Sequence, residues 1–244
     1  NAITFDGVND HILVGDHDAY SFTDGSSDKP FSISAWVYVD DVSADNGPFV
    51  TKANVGGTTE VEFIFKHANG KLRMFLYSTP GTSDNLTLQT NAAVLTDQTW
   101  HHVVVTYDGS ENSSGLAFYV DGTKITATNT TLNNGTYEGI SNTSQPLIIG
   151  KTNNTSPTAG QLFEDRMADV VIFDKQLSDA EVTELRNDGN VIEEMTTYSA
   201  YSNIISWFKM GDGEDTDGAN GIKDYVGGYH GTLTNGAAII TNSG

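Results

Sequence analysis

The sequence of 244 residues has no cysteine at all. That excludes a disulfide framework, a thiolate metal site and a cysteine nucleophile. It is also poor in cations, with 12 Lys and Arg against 32 Asp and Glu, a formal net charge of −20. A surface so acidic repels phosphate backbones, so no nucleic acid is expected as a partner. It suits a salty or calcium-rich medium, where cations screen or bind carboxylates, and it also serves as a solvated coat that keeps the protein soluble. No apolar run approaches the ~20 residues of a membrane helix, so no membrane insertion is expected. The opening Asn1-Ala2-Ile3-Thr4-Phe5 has no signal-peptide character and enters a strand-like segment at once. The chain therefore reads as a trimmed piece or a module cut from something larger, with any export signal outside it.

What is present is a series of short alternating segments separated by Gly, Asn, Asp and Ser, the pattern of an all-β sandwich or barrel. A chain this long can bury a core without disulfides. In Phe31–Val39, the residues Phe31, Ile33, Ala35, Val37 and Val39 share one face, while Ser32, Ser34, Trp36 and Tyr38 share the other. Further strands are predicted at 12–14, 60–66, 71–77, 100–107, 116–121, 146–149 and 168–173. Asn69-Gly70 reads as a hairpin turn, and Asp108-Gly109 and Asp121-Gly122 as strand ends. One helix of about three turns is predicted. Ser178 and Glu181 form a capping box, Val182 and Leu185 an apolar stripe, and Gly189 the stop. It is expected to pack across one end of the sandwich. Asn85-Leu-Thr87, Asn129-Thr-Thr131 and Asn142-Thr-Ser144 match glycosylation acceptors but read as loop composition.

Four blocks, in order, resemble laminin-G-like modules of the concanavalin A-like lectin/glucanase superfamily. They are Ile3–Asp10 (ITFDGVND), Phe31–Val37 (FSISAWV), Thr99–Gly109 (TWHHVVVTYDG) followed by Phe118–Gly122 (FYVDG), and Met167–Phe173 (MADVVIF) with Leu177–Glu181 opening the helix. The resemblance implies a jelly roll, an antiparallel sandwich of two sheets, one concave. It also implies binding on the concave face or the loop rim, often with calcium. Residues 1–195 make up this module. The segment 196–244, with Ile204, Trp207 and Phe208 and then Gly227–Ala237, is similar to how such modules begin, yet here it comes last. Either it adds a strand beside the N-terminal one and closes the same domain, or it starts a second repeat. The first is preferred, because an orphan strand would expose apolar surface at a cost of ~25 cal/mol per Å².

Glu60-Val61-Glu62 invites comparison with the related glucanases, which place paired carboxylates on one strand. Phe65 stands where the last carboxylate would be, so a retaining mechanism has no proton donor. The pair reads as solvent-facing strand carboxylates. No Gly-x-Ser-x-Gly elbow is present, and His101 and His102 must point to opposite faces of a strand. For calcium, the resemblance implies that the first and late strands run near each other and that an ion can tie them, with Asp6 or Asp169 among its ligands. The plainer reading is an Asp in a turn bonding its own backbone. The acidic run Asp212–Asn220 fails the EF-hand pattern and reads as a solvated loop or a weak calcium site. For a sugar, aromatic faces beside amides and carboxylates are needed. Trp36, Tyr38, Arg73, Phe75, Tyr77 and Tyr119 lie on faces opposite the aliphatic core and are expected to form a platform on the concave sheet.

The expectation is thus a non-enzymatic, calcium-stabilised, lectin-like module for a glycan or polysaccharide, extracellular or surface-displayed. A structural or adhesion domain on a virion or cell surface, binding a host-surface or virion protein, is the alternative. A polysaccharide hydrolase ranks last.

Overall fold

A computed structural model describes residues 1–43, 47–55, 60–78, 84–126, 129–153, 161–211 and 221–240. The acidic run from Asp212 to Asn220 lies outside the described residues. The strands are β1 (Ala2–Asp6), β2 (His11–Gly15), β3 (Phe31–Val39), β4 (Pro48–Asn54), β5 (Glu60–Ala68), β6 (Lys71–Tyr77), β7 (Asn85–Gln89), β8 (Thr99–Tyr107) and β9 (Leu116–Val120). They continue with β10 (Thr123–Lys124), β11 (Thr130–Thr131), β12 (Leu147–Ile149), β13 (Glu164–Phe173), β14 (Ile204–Phe208), β15 (Gly221–Ile222), β16 (Gly231–Thr234) and β17 (Ala238–Ile240). The helix α1 is Asp179–Arg186.

These strands form two antiparallel sheets, the sandwich that the alternation predicts and the jelly roll that the resemblance implies. The first runs β10-β9-β8-β3-β13-β1-β17, with β14 also on β13; the second runs β11-β7-β6-β5-β4-β12-β2-β16-β15. β3 lies along the whole of β8, from Phe31↔Tyr107 to Val39↔Thr99. On its other side β13 carries two partners in series, β1 opposite Glu164–Met167 and β14 opposite Val170–Phe173. The C-terminal segment enters both sheets, with β17 on β1 and β16 on β2.

The core lies between the sheets. The aliphatic face of β3 is fully or almost fully buried and meets Phe63, Phe65, Leu72, Met74 and Leu76 of the second sheet. Cross-sheet ring contacts include Phe31–Phe63 at 6.2 Å and Phe65–Phe118 at 6.4 Å. The β5–β6 hairpin turns through Asn69 and Gly70 at φ 51° and 70°, the left-handed pair that a tight Asn-Gly turn requires.

A third layer covers part of the outer face of the first sheet. Val182 and Leu185 of α1 pack with Met195, Tyr198 and Trp207 onto Val104, Tyr119, Val171 and Phe173. The capping box forms as read, Ser178 Oγ accepting from Glu181 N and Glu181 returning the bond. The helix lies on this sheet face rather than across an end, and it ends at Arg186, earlier than Gly189, because Asn187 takes the left-handed cap (φ 49°). Asn85 is not a loop residue: it starts β7, is buried, and accepts a bond from Thr87 Oγ1.

Candidate functional site

Register assembles a polar and aromatic field on the outer face of the first sheet. Across β13, β3 and β8, one row reads Arg166, Tyr38, Trp100 and the next reads Ala168, Trp36, His102. Arg166 sits over the Tyr38 ring at 4.5 Å, and Tyr38 meets Trp100 at 5.6 Å between centroids. Trp36 packs on His102 at 5.2 Å. Ala168 offers only a methyl group where its neighbours are large, which leaves space above the sheet. The result is a pocket of about 230 Å³ lined by Trp36, Trp100, Ala168, Asn1 and the segment Gly189–Val191 that follows α1.

Three buried polar atoms without a hydrogen-bond partner in the described protein belong to this region: Trp36 Nε1, His102 Nδ1 and Arg186 Nε. Trp36 is only 7 % exposed. Native interiors satisfy most such groups, so three together mark a place where something polar is expected. His102 donates to or accepts from Ser34 Oγ at 2.7 Å, and burial lowers its pKa to about 4, so the ring is neutral at physiological pH.

The expected single platform is not what the fold builds. Trp36 and Tyr38 come together, with Trp100 between them and the rim. Arg73 and Tyr77 lie on β6, on the outer face of the other sheet, beside Phe75. There Arg73 bonds Gln89, and Phe75 and Tyr77 lie nearly parallel at 6.2 Å. Tyr119 is unavailable to a ligand. It is 2 % exposed under the helix layer, and its hydroxyl donates to Asp179 Oδ1 at 2.6 Å. The periodicity put all six side chains off the core faces; it could not say which sheet each joined or what covered it.

Asp6 and Asp169 are not brought together. β1 and β13 pair with Asp6 opposite Glu164, so Asp169 lies five residues further along β13, roughly 16 Å away at the strand rise. Asp6 Oδ1 accepts from Val8 N and Asn9 N, the self-bonded turn, and these amides hold its carboxyl below the usual range although burial opposes them. Asp169 Oδ1 accepts from Trp207 Nε1 at 2.5 Å. The donor set does not fit one shared calcium. Among the described residues no group of three or more His, Asp or Glu side chains could hold a metal ion.

The strand carboxylates are held in other bonds. Glu60 bonds Gln145 Nε2, and Glu62 is fully buried rather than solvent-facing. Lys52 Nζ reaches Glu62 Oε1 at 2.5 Å, Asp16 Oδ1 at 2.9 Å and Thr143 O at 2.9 Å, while Thr143 N and Oγ1 donate to the same Glu62 oxygen. The segment around Thr143 thus seals Glu62 from any sugar. Burial pushes its carboxyl above the ordinary range, and the Lys52 and Thr143 contacts offset that only in part. Asp121, His101 and Thr96 form a relay unforeseen from the sequence, Asp121 Oδ2 to His101 Nδ1 at 2.8 Å and Nε2 to Thr96 Oγ1 at 2.9 Å. Thr96 N also donates to Nε2, occupying the lone pair a general base would use, so the relay stitches a turn.

A family model described as the concanavalin A-like lectin/glucanases superfamily matches residues 6–183. The chain belongs to that superfamily. Solved structures with the superfamily's sandwich include a candidate carbohydrate-binding protein from Bacteroides ovatus, 20 % identical, with a TM-score of 0.64. That match covers 100 % of this chain and 60 % of the other, so the chain spans less than two thirds of that relative's length. The CBM40 of Ruminococcus gnavus IT-sialidase, bound to α2,3 sialyllactose, is 16 % identical over 76 % of this chain and 96 % of its own, with a TM-score of 0.53. A SAP-like pentraxin from Limulus polyphemus is 15 % identical over 87 % and 92 %, with a TM-score of 0.50. No curated protein matches the sequence as a relative. At these identities the structural likenesses show the fold alone, a fold shared with carbohydrate-binding proteins. No helix among the described residues is long and apolar enough to cross a membrane.

Proposed function

We propose that this chain is a non-catalytic carbohydrate-binding module whose glycan docks in the pocket between Trp36 and Trp100. The observation that carries the reading is the pocket's make-up: two indoles, two amide side chains at the rim, and a buried Trp36 N–H without a partner. A pyranose has an apolar face that stacks on an indole and hydroxyls that need fixed donors and acceptors. The superfamily's fold and its sugar-binding neighbours support the class of ligand. The absence of catalysis rests on the sealed Glu62 and on Phe65 being wholly in the core. Asp6 and Asp169 have separate partners and separate places, so this reading does not rest on one calcium shared between them. The module works outside the cell or on a surface, where polysaccharides are met. A glycan array probed with the chain and with Trp100→Ala tests it. Retention that depends on Trp100 supports the reading, and an array without any ligand refutes it.

A further inference from the structure

Resting on that reading, we infer that the glycan is acidic: the sugar in the Trp36–Trp100 pocket, or the unit next to it, carries a carboxylate or sulfate, and Arg166 at the pocket's rim holds that anion. The chain has only three arginines, Arg73, Arg166 and Arg186. Two of them stand around this pocket. Arg166 precedes the lining residue Ala168 by two positions on β13, on the same face and about 7 Å along the strand. A pyranose ring over Ala168 can therefore bring an exocyclic acid to it. Arg186 stands behind the Gly189 wall, its Nη2 3.5 Å from where a Cβ on Gly189 would be.

Neither guanidinium is in an ion pair. The chain has 32 acidic residues, yet among the described residues the ion pairs to carboxylates are made by Lys52, Lys124, Lys175 and His101. Asp165, next to Arg166 in sequence, accepts from Asp40 N instead, and Asp97 accepts from Val42 N. Arg166 is half-buried and lies over the Tyr38 ring at 4.5 Å. That contact uses the π face of the guanidinium and leaves its N–H edge free, the edge that takes a carboxylate or sulfate two bonds at a time. Trp36 Nε1 and Arg186 Nε are buried donors without an acceptor in the described protein, and neither can itself accept. Arg186 has Asp121 as an electrostatic partner, so it adds to the field behind the wall while Arg166 makes the contact. The net charge of −20 repels anions at long range, so selection of an acidic glycan falls to a fixed cation at contact.

The test is an array that pairs each acidic glycan with its neutralised form: polygalacturonate with its methyl ester, a sulfated galactan with the desulfated polymer, sialyllactose with lactose. It is probed with the full chain and with Arg166→Ala, Arg166→Lys, Arg73→Ala and Trp100→Ala. The expected result is an acidic ligand whose retention falls at least ten-fold on neutralisation and at least ten-fold in Arg166→Ala. Arg166→Lys should recover part of it, because an ammonium keeps the charge but not the fork, and Arg73→Ala should bind like the parent. The pair that responds tells carboxylate from sulfate, and neutralising the ligand reads out the acid without relying on any variant's fold. If binding needs Trp100 but is indifferent to neutralisation or to Arg166, the inference fails while the carbohydrate-binding reading stands. An acidic ligand that needs Arg73 and not Trp100 overturns the pocket as the site. Retention of no glycan overturns both.

Discussion

Lys52→Met is the most informative single change to the fold, because Lys52 and Glu62 form an ion pair with both side chains at 0 % exposure. Removing the cation leaves Glu62 with Thr143 N and Oγ1 as its partners among the described residues, at 2.7 and 2.9 Å, and with Oε2 bonded to nothing in the described protein. Asp16, with a side chain 43 % exposed, turns to water at little cost. Stranding one buried charge costs about 3–5 kcal/mol, which for a chain of this size lowers the melting temperature by roughly 6–20 °C. The double change Lys52→Met with Glu62→Leu removes both charges and returns to within about 2 kcal/mol of the parent. The pH dependence has a definite sign. Glu62 has a folded pKa above its unfolded value, so the folded state holds the extra proton, and stability falls as pH rises from the unfolded pKa through the folded one. Without Lys52 that pKa rises further, so the deficit of the single variant is largest near pH 8 and shrinks toward pH 5. Thermal and urea melts at both pH values measure it. A single variant costing under about 1 kcal/mol, or a deficit that grows on acidification, would refute the reasoning.

Other outcomes follow from individual contacts. Asp224 is 3 % exposed and accepts from Ser206 Oγ and from the backbone N–H groups of Trp207, Val226, Gly227 and Tyr229, tying β14 to the strands that follow. Asp224→Ala should cost about 3–5 kcal/mol in a denaturant melt, and an effect below about 1 kcal/mol would deny that this carboxylate anchors the segment. Asp169→Ala leaves the Trp207 indole N–H buried and unpaired, for about 1–3 kcal/mol. Melts with calcium and with chelator should give the same loss, whereas a loss seen only with calcium would show that Asp169 ligates it. His102, with its pKa lowered to about 4, adds stability that is present above pH 6.5 and lost as pH falls toward 4, about 3 kcal/mol in all. Its NMR titration should show no protonation above pH 5, and a midpoint near 6.5 would contradict the burial.

Much of the fold was legible. β6 falls where alternation placed it because it buries every second residue, and β3 because Ser32, Ser34, Trp36 and Tyr38 alternate with its aliphatic residues even though both of its faces are covered. The helix start was readable because Ser178 and Glu181 bond locally. β4 escaped notice because Pro48–Asn54 is buried on both faces for most of its length and so does not alternate, and β7 because its five residues looked like loop composition. The site was less legible for one reason: its parts meet only through long-range register. Trp36 and Tyr38 were singled out, but Trp100 joins them through the β3–β8 pairing, and Val191 and Asn190 through the path the chain takes after α1. Glu62 and Tyr119 were misjudged because exposure depends on what lies above a strand face, here the segment around Thr143 and the helix layer.

The central claim is that a sugar sits between the two indoles. A calorimetric titration of the array's best ligand into the parent chain, Trp100→Ala and Tyr77→Ala tests it most directly. The account predicts at least a ten-fold loss of affinity, about 1.4 kcal/mol, in Trp100→Ala. It predicts parent-like binding in Tyr77→Ala and no release of reducing sugar by any of the three. Unchanged affinity in Trp100→Ala, or turnover of the ligand, would contradict it.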